Sequence, residues 1–310
     1  MAGRGPVDEG HFYGGQAVLE GVMMRGRDHW AVAVRRPDRT LHLESHEVRS
    51  IGKRFPLLNK PGLRGVLALG QALSIGVRAL TISANQSAQE DEKLTPKQMG
   101  ASMVLAFTLF TAVFVVGPYV GFRFLRHTVH RSWERNVLEG FGRVALFLAY
   151  LALIGRLKEI RRVFEYHGAE HKTIAAYEHR EPLEPEAVDR FSTLHVRCGT
   201  NFLLIVMVLT IAVYSVFPAR GLLWGILSRV IAIPVIAGIS YELLRLGAKF
   251  HRSRVMRALM APGLWLQKIT TRPPDHGEIE VAIAAFQEVL RCEGKASPGG
   301  QSSSRSRGQA

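Results

Sequence analysis

Residues 165–179 read EYHGAEHKTIAAYEH, and three of them stand at a spacing that chemistry can use: His167, Glu170 and His171, in the order H-x-x-E-H. Residues three and four apart share one face of an α-helix, so the two imidazoles and the carboxylate project together. Two imidazoles so placed can ligate one zinc ion, and the intervening glutamate can act as base on a metal-bound water. The order is that of the inverted zinc peptidases. The competing reading is a solvated helix face that happens to carry His and Glu.

Two more stretches offer ligands. FSTLHVRCGTNF brings His195 and Cys198, a pair of soft donors for zinc; otherwise it is a capped helix start with a small buried Cys. SYELLR places Glu242 near the end of an apolar run, where an acid is often functional; a salt bridge to Arg245, three residues on, is the plainer alternative. Two ligand sets stay open. His167, His171 and Glu242 would make an open catalytic centre, with His195 and Cys198 beside the substrate. His167, His171, His195 and Cys198 would close a structural one. Glu170 discriminates, because a structural site has no need of it.

These residues are set between apolar runs. Gly100–Phe122 carries no charge and is long enough to cross a bilayer, which takes about 20 apolar residues. Leu138–Gly155 is weaker, since it holds Glu139 and Arg143; four apart, they can neutralise one another on one helix face. Thr200–Phe217 ends at Pro218. Leu222–Leu244 carries Pro234 and Arg229, the latter able to snorkel if it lies near the interface. The expectation is three to four transmembrane helices, with four preferred. GLRGVLALGQALSIGVRALTISA, with Leu63, Val66, Leu67, Leu73, Val77 and Leu80 at helical spacing, holds Gln71 and Arg78. It reads as an amphipathic helix on the membrane or packed in the bundle, and 86–97 as a polar linker.

With four crossings, loop 156–199, the N-terminus and the C-terminal region share one face, so His167, His171, His195, Cys198 and Glu242 gather there. The net charge of +14 points to an anionic membrane or nucleic acid. The arginines flank the apolar runs and no aromatic-rich binding motif lies among them, which favours membrane flanks. The Lys/Arg bias favours cytoplasmic N- and C-termini, with the arginine-rich loop 123–137 against the trend.

The fold class is therefore mainly α, a polytopic membrane protein with a small N-terminal β-rich soluble part. The expected divisions are 11–60, β-rich; 61–99, amphipathic helix and linker; 100–250, transmembrane core; 251–293, basic and amphipathic helix; and 294–310, a disordered tail rich in Gly and Ser. Residues 1–10 look flexible. Within the first division, Trp30–Arg36 and Thr40–Val48 flank Pro37-Asp38-Arg39 as a hairpin, in which glycine at 39 would make a safer turn. Asp275 is expected to cap a helix whose face carries Ile279, Ile283, Phe286 and Leu290, and Trp265 looks exposed. The N-terminus has no apolar segment of the cleaved-signal type, and two cysteines make no disulfide scaffold.

GGQAVLEGVMMRG, EYHGAEHKTIAAYE, FSTLHVRCGTNFLL, GISYELLRL and PGLWLQKITTRPPD closely resemble the bacterial YqhQ-like family, domain-of-unknown-function family 1385, over about residues 11–292. The resemblance implies a multi-pass protein of the bacterial cytoplasmic membrane, labelled a metal-dependent enzyme without an established reaction. Gly14, Gly15, Gly21 and Gly26 suit tight turns or close backbone contact; Glu20 and Arg25 are placed to cover the site if that segment shares its face.

Three function classes follow. The first is a metal-dependent hydrolase at the cytoplasmic membrane face, with a zinc-type ion on the named ligands and Glu170 on the water. The second is a non-enzymatic scaffold or membrane-protein assembly factor, in which the lipid bilayer and other membrane proteins are partners and zinc is structural. The third is an ion or small-solute transporter, disfavoured by few spans and no inverted repeat.

Overall fold

The computed structural model describes residues 13–48, 60, 63–89, 95–123, 131–195, 198–216, 221–249 and 253–295. Outside them lie the expected flexible start, the middle of the polar linker, residues 124–130 of the basic loop 123–137, Pro218 and nearly all of the Gly/Ser tail. The chain divides into two units. Unit 1 takes 1–49, 162–195 and 271–310; unit 2 takes 50–161 and 196–270.

Unit 1 is a four-stranded antiparallel meander, β1 (Gly14–Val18), β2 (Gly21–Arg25), β3 (His29–Arg35) and β4 (Leu41–Glu47), in that spatial order. The expected hairpin is β3–β4. Arg39 takes the left-handed conformation that glycine would take more easily (φ 66°), and Asp38 compensates by accepting bonds from the Thr40 amide (2.9 Å) and hydroxyl (2.6 Å). The glycine-dense run ahead of it is strand as well. Strands disfavour glycine in general, but here a Cβ on Gly21 would stand 2.2 Å from the Ala33 carbonyl oxygen across the β2–β3 ladder.

The C-terminal helix, α10 (His276–Cys292), packs on this sheet. Asp275 caps it in a capping box with Glu278, and Ile279, Ile283, Phe286 and Leu290 are all buried, as the spacing predicts. Each such side chain contributes about 1.5–3 kcal/mol. They join Val22, Met24, Ala31 and Ala33 of the sheet and Tyr166 and Tyr177 of the motif helix in one core. Beyond the end of α10 the Gly294 and Lys295 amides donate to the Arg291 and Leu290 carbonyls, closing the helix end.

Unit 2 is helical: α1 (Leu63–Ser87), α2 (Pro96–Thr111) continuing through a π-helical turn (Ala112–Val116) into α3 (Gly117–Arg123), α4 (Ser132–Ile154), α7 (Gly199–Val216), α8 (Leu222–Lys249) and α9 (Arg254–Thr270). Between α4 and α7 the chain makes α5 (Lys158–Glu178), most of it in unit 1, and the short α6 (Pro185–Val188). Among the described residues, five helical stretches are long and apolar enough to cross a membrane: Arg64–Ser87, Lys97–Phe122, Trp133–Ile154, Gly199–Val216 and Leu223–Gly247. Three to four spans are expected from the sequence; the fifth candidate is the first stretch, expected there as an amphipathic helix, which also has the length and composition of a span. Their outer faces carry large apolar side chains such as Phe107 (72% exposed), Ile231 (63%) and Leu223 (73%), the surface expected of a protein solvated by lipid.

Leu138–Gly155 is a full helix despite its charges. Arg143 Nη2 donates to Glu139 Oε1 at 2.8 Å, as the spacing predicts. Arg229 does not snorkel. It is 2% exposed and closes a fork on the same carboxylate, Nε to Oε1 at 3.1 Å and Nη2 to Oε2 at 2.8 Å. Its guanidinium lies 4.0 Å from the ring centroid of Tyr119 and 4.8 Å from that of Tyr214. A paired, stacked guanidinium has no need to reach an interface. Trp265 is 70% exposed, as expected.

Candidate functional site

Helix α5 positions the motif. Its first described anchor in unit 1 is Arg162, whose Nε donates to Glu20 Oε1 at 2.5 Å; the Tyr166 hydroxyl donates to the other oxygen at 3.4 Å. Glu20 sits in the β1–β2 turn with a positive φ of 50°, so the sheet grips the helix one turn ahead of His167. Glu20 therefore anchors the helix. The face behind the histidines is held by Gly168: a Cβ there would lie 2.1 Å from the Arg272 carbonyl oxygen and 3.2 Å from Thr193 Cγ2. The Arg272 amide in turn donates to the Phe164 carbonyl at 2.9 Å.

With those contacts made, three imidazoles meet. The His167 and His171 ring centroids are 4.4 Å apart, and those of His171 and His195 5.6 Å. His171 is buried, and its Nδ1 lies 2.5 Å from the Thr193 carbonyl oxygen. Nδ1 must donate in that bond, which leaves the Nε2 lone pair as the ligating atom. His195 Nε2 is 3.5 Å from Glu178 Oε2. Burial holds the His195 pKa below the ordinary range, and the Glu170 charge opposes that shift.

Glu170 is the acid of the cluster. It is buried, and loss of water pushes its pKa up, against the opposing pull of His167, His195 and a bond from the Gly15 amide. Strand β1 makes room for it. A Cβ on Gly15 would stand 2.9 Å from both Cγ and Cδ of Glu170 and 2.6 Å from the Met23 carbonyl oxygen. The glycine pair thus serves close approach at Gly15, while nothing lies within 4 Å of a Cβ on Gly14.

The other two candidates lie in unit 2. Cys198 is buried just ahead of α7, and its sulfur accepts from the Thr200 amide (3.4 Å) and hydroxyl (3.2 Å), so the capped helix start is present. Glu242 pairs with Arg64, not Arg245: Nε meets Oε1 at 2.6 Å and Nη2 meets Oε2 at 2.5 Å. Both carboxylate oxygens are thus engaged within unit 2.

Sequence reasoning marked Gly15 for close backbone contact without its partner Glu170, and missed Thr193 and Glu178. Thr193 acts through its carbonyl, which no side-chain pattern advertises. Glu178 was legible, since it follows His171 by seven residues and so shares its helix face.

An apolar helical bundle suited to a membrane, with a separate sheet-and-helix unit holding a buried His/Glu cluster, defines the class of protein. The chain belongs to the family described as protein of unknown function DUF1385, whose model matches residues 60–292. It is similar to the uncharacterized protein YqhQ of Bacillus subtilis (strain 168), 36% identical over 295 residues that cover 91% of this chain and 93% of the relative. No solved structure matches.

Proposed function

We propose that the chain is an integral protein of the bacterial cytoplasmic membrane that holds a divalent, zinc-type ion on His167 and His171, with His195 or Cys198 as a further ligand, and uses it for hydrolysis. The observation that carries this reading is Glu170, a buried acid set beside the His167 and His195 imidazoles and the Gly15 amide. The ion supplies Lewis acidity and a water of lowered pKa. The chain's own part is to fix the ligands and move a proton: the Thr193 carbonyl sets the His171 tautomer, and the Glu170 carboxylate would accept the proton of a metal-activated water and return it as the carboxylic acid. The Lys/Arg bias of the segments flanking the apolar helices supports cytoplasmic termini.

Cys198 supports a second reading. Three peptide units tie its Cα to within about 10 Å of that of His195, so a His-His-His-Cys set would close the coordination sphere and make the ion structural, as a scaffold or assembly factor requires. Cobalt(II) titration of the detergent-purified full chain separates the two. An open three-nitrogen site gives tetrahedral d–d absorption unchanged by Cys198→Ser. A closed site adds a sulfur-to-cobalt charge-transfer band that Cys198→Ser abolishes. No cobalt spectrum in the wild type contradicts both.

A further inference from the structure

Unit 1 is assembled from three stretches of chain, and unit 2 fills the two excursions between them. The stretches are bonded to one another: Arg162 to Glu20, Arg35 to Glu280, and the Arg272 amide to the Phe164 carbonyl. A domain bonded in this way lies in one aqueous compartment. Each excursion must then cross the membrane an even number of times. The second, 196–270, holds two candidate spans, Gly199–Val216 and Leu223–Gly247. The first, 50–161, holds three, so one of them does not cross.

Contacts inside unit 2 say which. Asn136 donates to the Tyr214 carbonyl, and Gly140 packs on Ile211, so the start of α4 lies beside the end of α7. The Tyr119 hydroxyl donates to the Gly221 carbonyl at 2.9 Å, which brings the end of the α2–α3 helix to that same pole. Further back, Phe114 packs against Phe147, Leu151 and Leu266, toward the pole from which the chain passes to unit 1. The α2–α3 helix therefore starts at the unit 1 pole and ends at the far one, α4 returns, and α7 and α8 repeat the excursion. Both ends of α1 then belong to the unit 1 pole. Its start is tied to the last third of α8 by Arg64–Glu242, with a Cβ on Gly65 falling 2.7 Å from the Gly238 carbonyl oxygen. Its end joins the start of α2 through residues 88–95. If α1 crossed, those eight residues, reaching at most about 29 Å, would have to recross a hydrocarbon layer of about 30 Å with a polar sequence.

We infer that α1 is a membrane-surface helix: it lies in the lipid headgroup layer on the unit 1 side, and the chain crosses the bilayer four times. The helix itself has three faces that suit this. Gly65, Gly76, Ala79 and Ser83 form a buried stripe of small residues. Roughly a quarter-turn round, Val66, Leu73 and Val77 are exposed (39%, 65% and 38%) and face acyl chains. Gln71, Ser74 and Arg78 share the remaining, polar side. This stretch is also the least apolar of the five.

Membrane-impermeant maleimide labelling of the full chain in right-side-out and inverted vesicles tests this. Gln89→Cys follows α1, Arg180→Cys marks unit 1, and Arg131→Cys marks the far pole; all three native side chains are exposed. The wild-type chain, with Cys198 and Cys292, gives the blank. The expected result is that Gln89→Cys and Arg180→Cys label in the same vesicle orientation and Arg131→Cys in the other. Labelling of Gln89→Cys together with Arg131→Cys overturns the proposal, as does labelling of Arg131→Cys together with Arg180→Cys. If Gln89→Cys fails to accumulate, Lys97→Cys at the start of α2 gives the same reading.

Discussion

Each unit buries a glutamate on a helix, and the two are treated in opposite ways. In unit 2, Glu139 accepts three guanidinium bonds, from Arg143 and a fork from Arg229, and the arginine is further sandwiched between tyrosine rings. In unit 1, Glu170 faces imidazoles and one backbone amide, and burial keeps its pKa raised. A permanently cationic partner makes a buried acid a fixed structural link. A partner that can itself bind or release a proton or a metal leaves the acid able to do chemistry. The contrast teaches that burial alone marks neither role; the neighbours do.

Removing one partner of the compensated network gives the largest effect. Arg229→Met leaves Glu139 short of its fork in a site surrounded by lipid-facing helices, and is expected to cost about 3–5 kcal/mol. Folded yield by size-exclusion chromatography of the detergent-solubilised protein should collapse. Near-normal yield would mean that the network contributes little.

In unit 1, Gly168→Ala drives a methyl into the Arg272 carbonyl and is expected to cost about 1–3 kcal/mol by overpacking. Gly15→Ala drives a methyl into both the Glu170 side chain and the Met23 carbonyl, so it displaces Glu170 and strains the β1–β2 pair without touching a histidine directly. Metal affinity should then change less than any activity assigned to the site, which is the comparison in its sharpest form.

Glu278, buried at the start of α10, has its pKa pushed up to about 7, chiefly by burial. The folded state thus holds this proton more tightly than the unfolded chain, whose glutamate titrates near 4.5. The resulting stability is full below pH 4.5 and is lost as pH rises through about 7, a swing of about 1–3 kcal/mol. Glu288 works in the other direction. Bonds from Arg291 hold its pKa at about 2, so its contribution is present above 4.5 and lost as pH falls toward 2. Melting temperature followed between pH 5 and 8 should drop more in the wild type than in Glu278→Gln; parallel profiles would contradict this. The smallest effect is at the β3–β4 turn, where Arg39→Gly relieves a left-handed backbone and should add about 0.5–1 kcal/mol in the same melt.

Much of unit 1 was legible because its signals are local. The H-x-x-E-H spacing, the Asp275 cap with its apolar face, and the Pro37–Arg39 turn each lie within one helix or hairpin. The glycine-dense run fell within the β-rich division, but its individual strands β1 and β2 were not drawn, since the close approaches of Glu170 to Gly15 and of Ala33 to Gly21 are long-range contacts. In unit 2 the Glu139–Arg143 pair was readable at four residues' separation. Arg229 joins it from 90 residues away, and Arg64 reaches Glu242 from 178. Nothing local encodes either partner, so the fork from Arg229 and the pairing of Glu242 with Arg64 in place of Arg245 could not be read from the sequence.

The central claim is that the histidine cluster binds a metal, and elemental analysis of the detergent-purified full chain tests it most directly. About one zinc-type ion per chain is expected in the wild type, lost in His167→Ala plus His171→Ala and retained in Glu170→Gln. A wild type without stoichiometric metal, or equal metal in the double-histidine variant, would contradict the account.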